Sequence, residues 1–394
     1  MARAGLFGAV VAAISGPVSS AEWSVQPLVR VAAGRDSNPT LTTGSHESTT
    51  VTTVTPLMHV RGQTELSGID VGLALNYNNY SSSQVEDTDQ QILTLESSTR
   101  TSERTTLGLS GELRRDDLRQ TVDVSSDAGN VGDADVGLVQ TKVRRKWNNL
   151  RPSWTRALSE RSNLELAYNA TDVSFDNAAG TGLVDYTDQL VSMTYSYNIS
   201  SRDSLNITTN ASRFRAPDAD NTSDTARLLV GFARAFSETS RGSISVGASR
   251  TKEDAAGSTD RSSGFVLQAG ATQRSEITTL DVTVSHDVSP SGAGQSIASD
   301  QLWANWVRRV SPRINFVLRA TLVRNEVLQG SDPTVDRRYY EVEPALEYQW
   351  MPRVFLRASY LYRYQKFDAD PMSATGNTVL VGLAYNWRRQ SLER

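Results

Sequence analysis

Between Tyr340 and Trp350 every second position holds Tyr340, Val342, Pro344, Leu346, Tyr348 and Trp350, and Glu341, Glu343 and Glu347 sit between them. Period-two spacing collects the three carboxylates on one face of a strand. Arg319 lies on the preceding predicted strand and Arg357 and Arg363 on the following one, so opposite charges stand on neighbouring strands. A dry core would not accept these carboxylates unpaired, so the face that carries them meets water. The chemistry of such a face is not bond making. Ladders of opposed charge create a transverse field and hydrogen-bonding tracks that orient a polar solute, and the same pairs hold a wall rigid. Arg30, Asp70 and Glu112 extend this polar lining, with Arg114, Glu165 and Asp281. Trp303 and Tyr339 fall on the same inward series.

Other constellations are weaker. The histidines are His46, His59 and His286, and none is spaced with a Ser or Asp as a nucleophile and its base. No catalytic residue and no enzyme is expected. His286 continues the outward series Leu280, Val282, Val284, which places it at a membrane interface. The acidic stretches Asp218, Asp220, Asp224 and Asp127, Asp133, Asp135 offer oxygen ligands but lack the spacing and closing Glu of a calcium loop, so no metal and no cofactor is expected. With no cysteine there is neither a disulfide framework nor a thiolate site. A net charge of -4 and the lack of basic runs with interleaved aromatics argue against nucleic acid as a partner.

The elements that position these residues are announced by a recurring phrase, a hydrophobic residue followed by Ser, one residue and Arg. It reads Leu-Ser-Glu-Arg at 158–161, Ile-Ser-Ser-Arg at 199–202 and Val-Ser-Pro-Arg at 310–313, with variants at 101–104, 236–241 and 350–353. An alternating apolar run follows each copy. In 69–77, for example, Ile69, Val71, Leu73, Leu75 and Tyr77 alternate with small or polar residues. Tight polar turns joining period-two strands down the whole chain predict an all-β fold, a single antiparallel up-and-down transmembrane β-barrel of about 18 strands, with 16 as the alternative. The 38% hydrophobic content suits this fold, because every second strand residue faces a polar lumen. Links alternate between tight turns and longer Gly-, Asp- and Ser-rich loops, including 217–224, 252–260 and 289–299, which places the short turns in the periplasm and the loops outside.

Residues 1–21 read as a secretory signal peptide: Arg3, an apolar core from Gly5 to Ile14, then Ser19-Ser20-Ala21. The barrel is expected over 22–388 and a short tail over 389–394. Eighteen strands with their turns and loops consume most of the mature length, at about 12 residues per strand, leaving little for an internal plug. Trp154, Trp306, Tyr348, Trp350, Tyr385 and Trp387 cluster near the periplasmic turns as headgroup anchors.

The last predicted strand carries Gly382 followed by Tyr385 and Trp387, and resembles the assembly signal that outer-membrane barrels present to their insertion machinery. It departs in running on to Arg394. Taken with Asp36-Ser37-Asn38-Pro39 after the first strand and the Ser-x-Arg turns, the mature chain resembles the β-barrel porin 2 family of exopolysaccharide and capsule loci in Gram-negative bacteria. That resemblance implies a cell outer-membrane protein, with outer-membrane lipid and the barrel-insertion machinery as partners, that conducts or helps export polysaccharide alongside its synthesis and export partners. The alternatives are a general or sugar-selective diffusion porin and a non-conducting surface scaffold or adhesin.

Overall fold

The structure is a computed structural model and describes residues 22–118, 143–255, 257–328 and 336–392. Residues 1–21, predicted as a signal peptide, and Asp127, Asp133 and Asp135 lie outside the described residues. Eighteen long strands follow one another. They are β1 (Glu22–Asp36), β2 (Thr49–Gln63), β3 (Ser67–Tyr80), β4 (Thr88–Ser102), β5 (Thr105–Asp117) and β6 (Arg144–Ala157). Next come β7 (Ser162–Asp176), β8 (Tyr186–Asn198), β9 (Asp203–Ala216), β10 (Asn221–Ala235), β11 (Ser240–Ala255) and β12 (Ser258–Arg274). The last third is β13 (Thr278–Pro290), β14 (Ser296–Ser311), β15 (Ile314–Val327), β16 (Arg337–Met351), β17 (Val354–Phe367) and β18 (Ala374–Asn386). Each pairs antiparallel with its sequence neighbours, and β1 pairs with β18 from Leu28↔Asn386 to Asp36↔Thr378. The sheet is therefore closed, and the barrel has eighteen strands. Closure leaves no strand edge to be satisfied by lipid. Gln390–Leu392 of the tail form a short extra strand against Trp23–Val25.

The Ser-x-Arg phrase has a local cause. The Ser hydroxyl accepts a hydrogen bond from the Arg backbone N–H two residues on, at Ser102–Arg104 (3.3 Å), Ser159–Arg161 (3.2 Å), Ser200–Arg202 (3.1 Å) and Ser311–Arg313 (3.3 Å). A hydroxyl that mimics a backbone acceptor closes the turn without further residues.

Alternation then sorts the side chains. The outward series carries Val191, Val230, Leu346 and Val381, exposed at 55%, 52%, 53% and 61%. No soluble surface would tolerate such a continuous apolar belt; a bilayer requires it. Tyr385 and Trp387 make an edge contact at 4.6 Å near the periplasmic rim, as do Trp306 and Phe316 at 5.6 Å. A second belt of Tyr340, Tyr362 and Tyr364 sits toward the loops. On β16, Tyr340 and Trp350 bracket about 33 Å of strand, or about 25 Å along the membrane normal at a tilt of about 40°. That matches the apolar height of an outer-membrane barrel, and the chain is a protein of the cell outer membrane.

Several loops are shorter than predicted. β11 and β12 meet through a two-residue link with Gly257 at φ 83, where a longer loop over 252–260 was expected. The link 289–299 contracts to 291–295, and 217–224 to 217–220 with a single 3-10 turn at Pro217–Ala219. Above the belt, outward residues pair across strands, as Arg213 with Asp224 at 2.6 Å and Lys146 with Asp176 at 2.7 Å, so charge pairs replace apolar alternation at these strand ends. Asp224 is thereby a strand residue engaged with Arg213 and not part of a loop cluster.

Candidate functional site

Directly paired residues of an antiparallel sheet share a face, so the registers fix what lines the lumen. Arg30, Asp70, Glu112, Arg319, Glu341, Glu343, Glu347, Arg357 and Arg363 all stand opposite the apolar series. The structure brings four of them into one ladder. Arg319 on β15 approaches Glu343 at 3.3 Å, and Arg357 on β17 bridges Glu343 at 3.0 Å and Glu347 at 2.6 Å. Arg30 joins them around a recess of about 250 Å³ that also touches Thr53, Thr55 and Ser359. Glu341 accepts the Tyr339 hydroxyl at 2.6 Å. Asp70 and Glu112 lie apart from this group, Asp70 against Arg61 at 2.5 Å with His59 at 3.7 Å, Glu112 against Arg114 at 2.7 Å.

Arg363 differs from its neighbours. It is 1% exposed, because the segment 37–48 folds inward over it. Its Nη2 donates to both carboxylate oxygens of Asp36, at 2.9 and 2.7 Å, and to the Asn38 carbonyl at 3.2 Å. Asn38 donates to the carbonyls of Thr42 (2.9 Å) and Thr375 (3.0 Å) and accepts from the Thr42 N–H at 3.1 Å. Beyond this corner Leu41, at φ 47 and 2% exposed, packs with Val323, Tyr339 and Ala374, so the segment reaches from β1 to the inner faces of β15 and β16. Thr43 donates to Asp370 at 2.8 Å, tying it to the loop after β17. The backbone N–H of Met372 and then the Thr43 hydroxyl hold the Asp370 carboxyl below the usual carboxylate range.

Two further elements narrow the same half of the lumen. An apolar cluster of Leu118, Val143, Val173, Phe175, Tyr186 and Phe214 covers the upper inner wall of β5–β9. The link 291–295 turns inward to meet it: the Gly292 carbonyl accepts from the Val184 N–H at 2.9 Å and the Gly294 carbonyl from Asn221 at 2.9 Å. Below it, Arg227 of β10 reaches Asp287 of β13 at 2.7 Å. At the periplasmic end a recess of about 700 Å³ lies beside Arg241, Arg274, Thr283 and Trp303.

Between these ends much of the wall from β6 to β11 is lined by amides and hydroxyls, interrupted by the Arg151–Glu165 ion pair at 2.8 Å and by Arg227. Asn149 donates to Asn169 (3.0 Å) and Thr171 (2.9 Å), while Thr194 meets Thr208 and Thr225 meets Thr251, each at 3.0 Å. Asn210 Oδ1 and, on β14, Asn305 Oδ1 have no hydrogen-bond partner among the described residues. A surface of this kind exchanges hydrogen bonds with water or with a hydroxylated solute at little cost. Of the histidines, His59 faces the lumen, His286 faces outward against Asp300 at 2.5 Å, and His46 lies on the inward segment near the Gly44 carbonyl.

Of the predicted lining, Arg319, Glu343, Glu347 and Arg357 come together in the ladder, whereas Arg363 is sealed beneath segment 37–48 and does not face the bore. Asp36 and Asn38 were legible only as a corner motif, and nothing in a lone Leu41 announces an inward course.

No protein-family model matches the chain, and no curated protein matches it. Among solved structures it is similar to the OccK9 (OpdG) protein of Pseudomonas aeruginosa, at 13% identity and TM-score 0.48 over 95% of this chain and 100% of that one. It is similar to OccAB2 of Acinetobacter baumannii at 12% and 0.46, over 94% and 98%. It is also similar to the FrpB iron transporter of Neisseria meningitidis at 10% and 0.45, over 93% and 81%.

Proposed function

We propose that this chain is a passive outer-membrane channel that admits small hydrophilic, hydroxyl-rich solutes, a diffusion porin with selectivity set by its inner wall. The single observation that carries this reading is a closed, wet barrel whose mouth is narrowed by the clamped segment 37–48. An eighteen-stranded barrel is otherwise wide enough for an aqueous bore. Narrowing from the Leu41 side and from the 291–295 side favours solutes of one or a few sugar units over a bulky polymer. Export of polysaccharide, the first expectation from sequence, is the second reading, and the Asp36-Ser37-Asn38-Pro39 corner is what favours it.

Purified protein in a planar bilayer is expected to give discrete conductance steps, and vesicles containing it to swell in monosaccharides faster than in long oligosaccharides. A silent bilayer would leave only a scaffold. Swelling independent of oligosaccharide length, together with loss of surface polysaccharide in a deletion strain, would favour the exporter.

The ladder makes a signed prediction. Arg357→Ala removes a half-shielded cation from the wall, so under a salt gradient the reversal potential should move toward cation preference. Glu343→Gln should move it the other way. Equal or absent shifts in both variants would mean that ions do not pass this wall.

A further inference from the structure

Three cations face one another on the outside of the barrel, directly above the upper aromatic belt. Arg324 on β15 is paired in register with Arg338 on β16, and Arg338 with Lys366 on β17. Each lies two residues beyond an outward member of the belt region, Leu322, Tyr340 and Tyr364 respectively. Opposed side chains on a sheet stand about 5 Å apart at Cβ, and like charges there repel.

The same rim usually answers a cation with an acid, as at Lys146–Asp176, Arg213–Asp224 and Lys252–Asp254. Here the answer is incomplete. Glu326 engages Arg324, its neighbour on the same strand. Asp370 attracts Lys366, but its oxygens are committed first to Met372 and Thr43. Arg338, exposed, has no ion pair or side-chain hydrogen bond with any described residue. Among the described residues these opposed like charges are only partly compensated, and an anion from outside the chain would complete them.

What lies beneath defines that anion. The Tyr340 ring stacks on Tyr364 at 4.4 Å and lies 6.1 Å from Tyr362, an amphipathic platform at the boundary of the apolar belt. An anion settling on the cations would have its remaining mass on these rings and on the membrane-facing surface below. A phosphate spans two cations about 5 Å apart, and Arg offers it two parallel donors. We propose that Arg324, Arg338 and Lys366 bind a phosphorylated glycolipid of the outer leaflet, its phosphate across Arg338 and Lys366 and its sugar and acyl chains against the tyrosines. The site is on the outer wall and does not depend on what the lumen carries.

The test uses the full barrel in maltoside micelles, titrated with bis-phosphorylated lipid A, its dephosphorylated form and inorganic phosphate, and read by thermal midpoint and by native mass spectrometry. Lipid A is expected to raise the midpoint and remain attached. Arg338→Gln should weaken its retention about tenfold or more, the scale of a lost charge-assisted contact. Without lipid, the same variant should melt higher than the wild type, because the repulsion is gone; with lipid A that order should reverse. Lys366→Gln supplies the same comparison should Arg338→Gln fail to fold. Equal retention by variant and wild type would overturn the proposal. So would equal binding of the dephosphorylated lipid, which would mean apolar contact alone, or full competition by inorganic phosphate at matched concentration, which would mean a bare-anion site.

Discussion

Arg363→Met is expected to raise single-channel conductance while lowering the thermal midpoint of the barrel. Asp36 is 5% exposed and Arg363 1% exposed. Removing the guanidinium leaves the carboxylate with the Thr378 hydroxyl at 2.9 Å and the Asn38 N–H at 2.9 Å as its remaining partners. Stripping one member from a buried ion pair costs about 3–5 kcal/mol, chiefly because the other charge stays desolvated. The strain is relieved if segment 37–48 lifts and lets water reach Asp36, and that movement withdraws Leu41 from Val323 and Tyr339. Stability loss and pore opening are therefore one event. The double variant Asp36→Asn with Arg363→Gln removes both charges, so it should recover much of the midpoint, with conductance still raised because the clamp is neutral and weaker. Conductance histograms and thermal melts on the same preparations test the coupling. A destabilised Arg363→Met barrel with wild-type conductance would show that Asn38 and Leu41 hold the segment without the ion pair.

How much of this was legible beforehand follows the range of each interaction. The period-two pattern of 69–77 and 340–350 is a local consequence of a wall with lipid on one side and water on the other, so strand number, the outward belt and the inward position of Glu343 and Arg357 could all be read. The turns were legible for the same reason: the Ser159 to Arg161 hydrogen bond spans two residues. Strand ends are less legible: β11 runs on through Glu253, Asp254 and Ala255, a stretch with no apolar alternation to mark it as strand. Arg363 and Arg357 look alike in sequence, six residues apart on one face. One lines water and the other is sealed, and the difference is made by Asp36, 327 positions away in the chain. Leu41 adopts φ 47, a conformation its type does not advertise.

The closing seam carries the largest expected effect. Gly34 of β1 is paired with Leu380 of β18, and a Cβ built on it falls 1.7 Å from the Val379 carbonyl oxygen, a backbone atom that no rotamer change can move. Gly382, on the opposing strand, would meet the Val31 carbonyl oxygen at 2.7 Å and Ala32 Cβ at 2.8 Å. Both glycines let the first and last strands approach closely enough to bond. Gly34→Val should therefore stop closure, leaving two unpaired edges in lipid where each unsatisfied backbone group costs several kcal/mol. No folded, heat-modifiable barrel is expected, in cells or on refolding into detergent. Tyr385→Ala and Trp387→Ala provide the contrast. Their rings point outward and contact each other at 4.6 Å, while the seam's backbone pairs do not need them. If these rings act as a signal to the insertion machinery, the double variant should assemble poorly in cells yet refold in micelles. Gly34→Val should fail in both settings. A Gly34→Val protein that refolds in micelles would mean that the seam shifts to accommodate the side chain, and the steric account of the two glycines would fall with it.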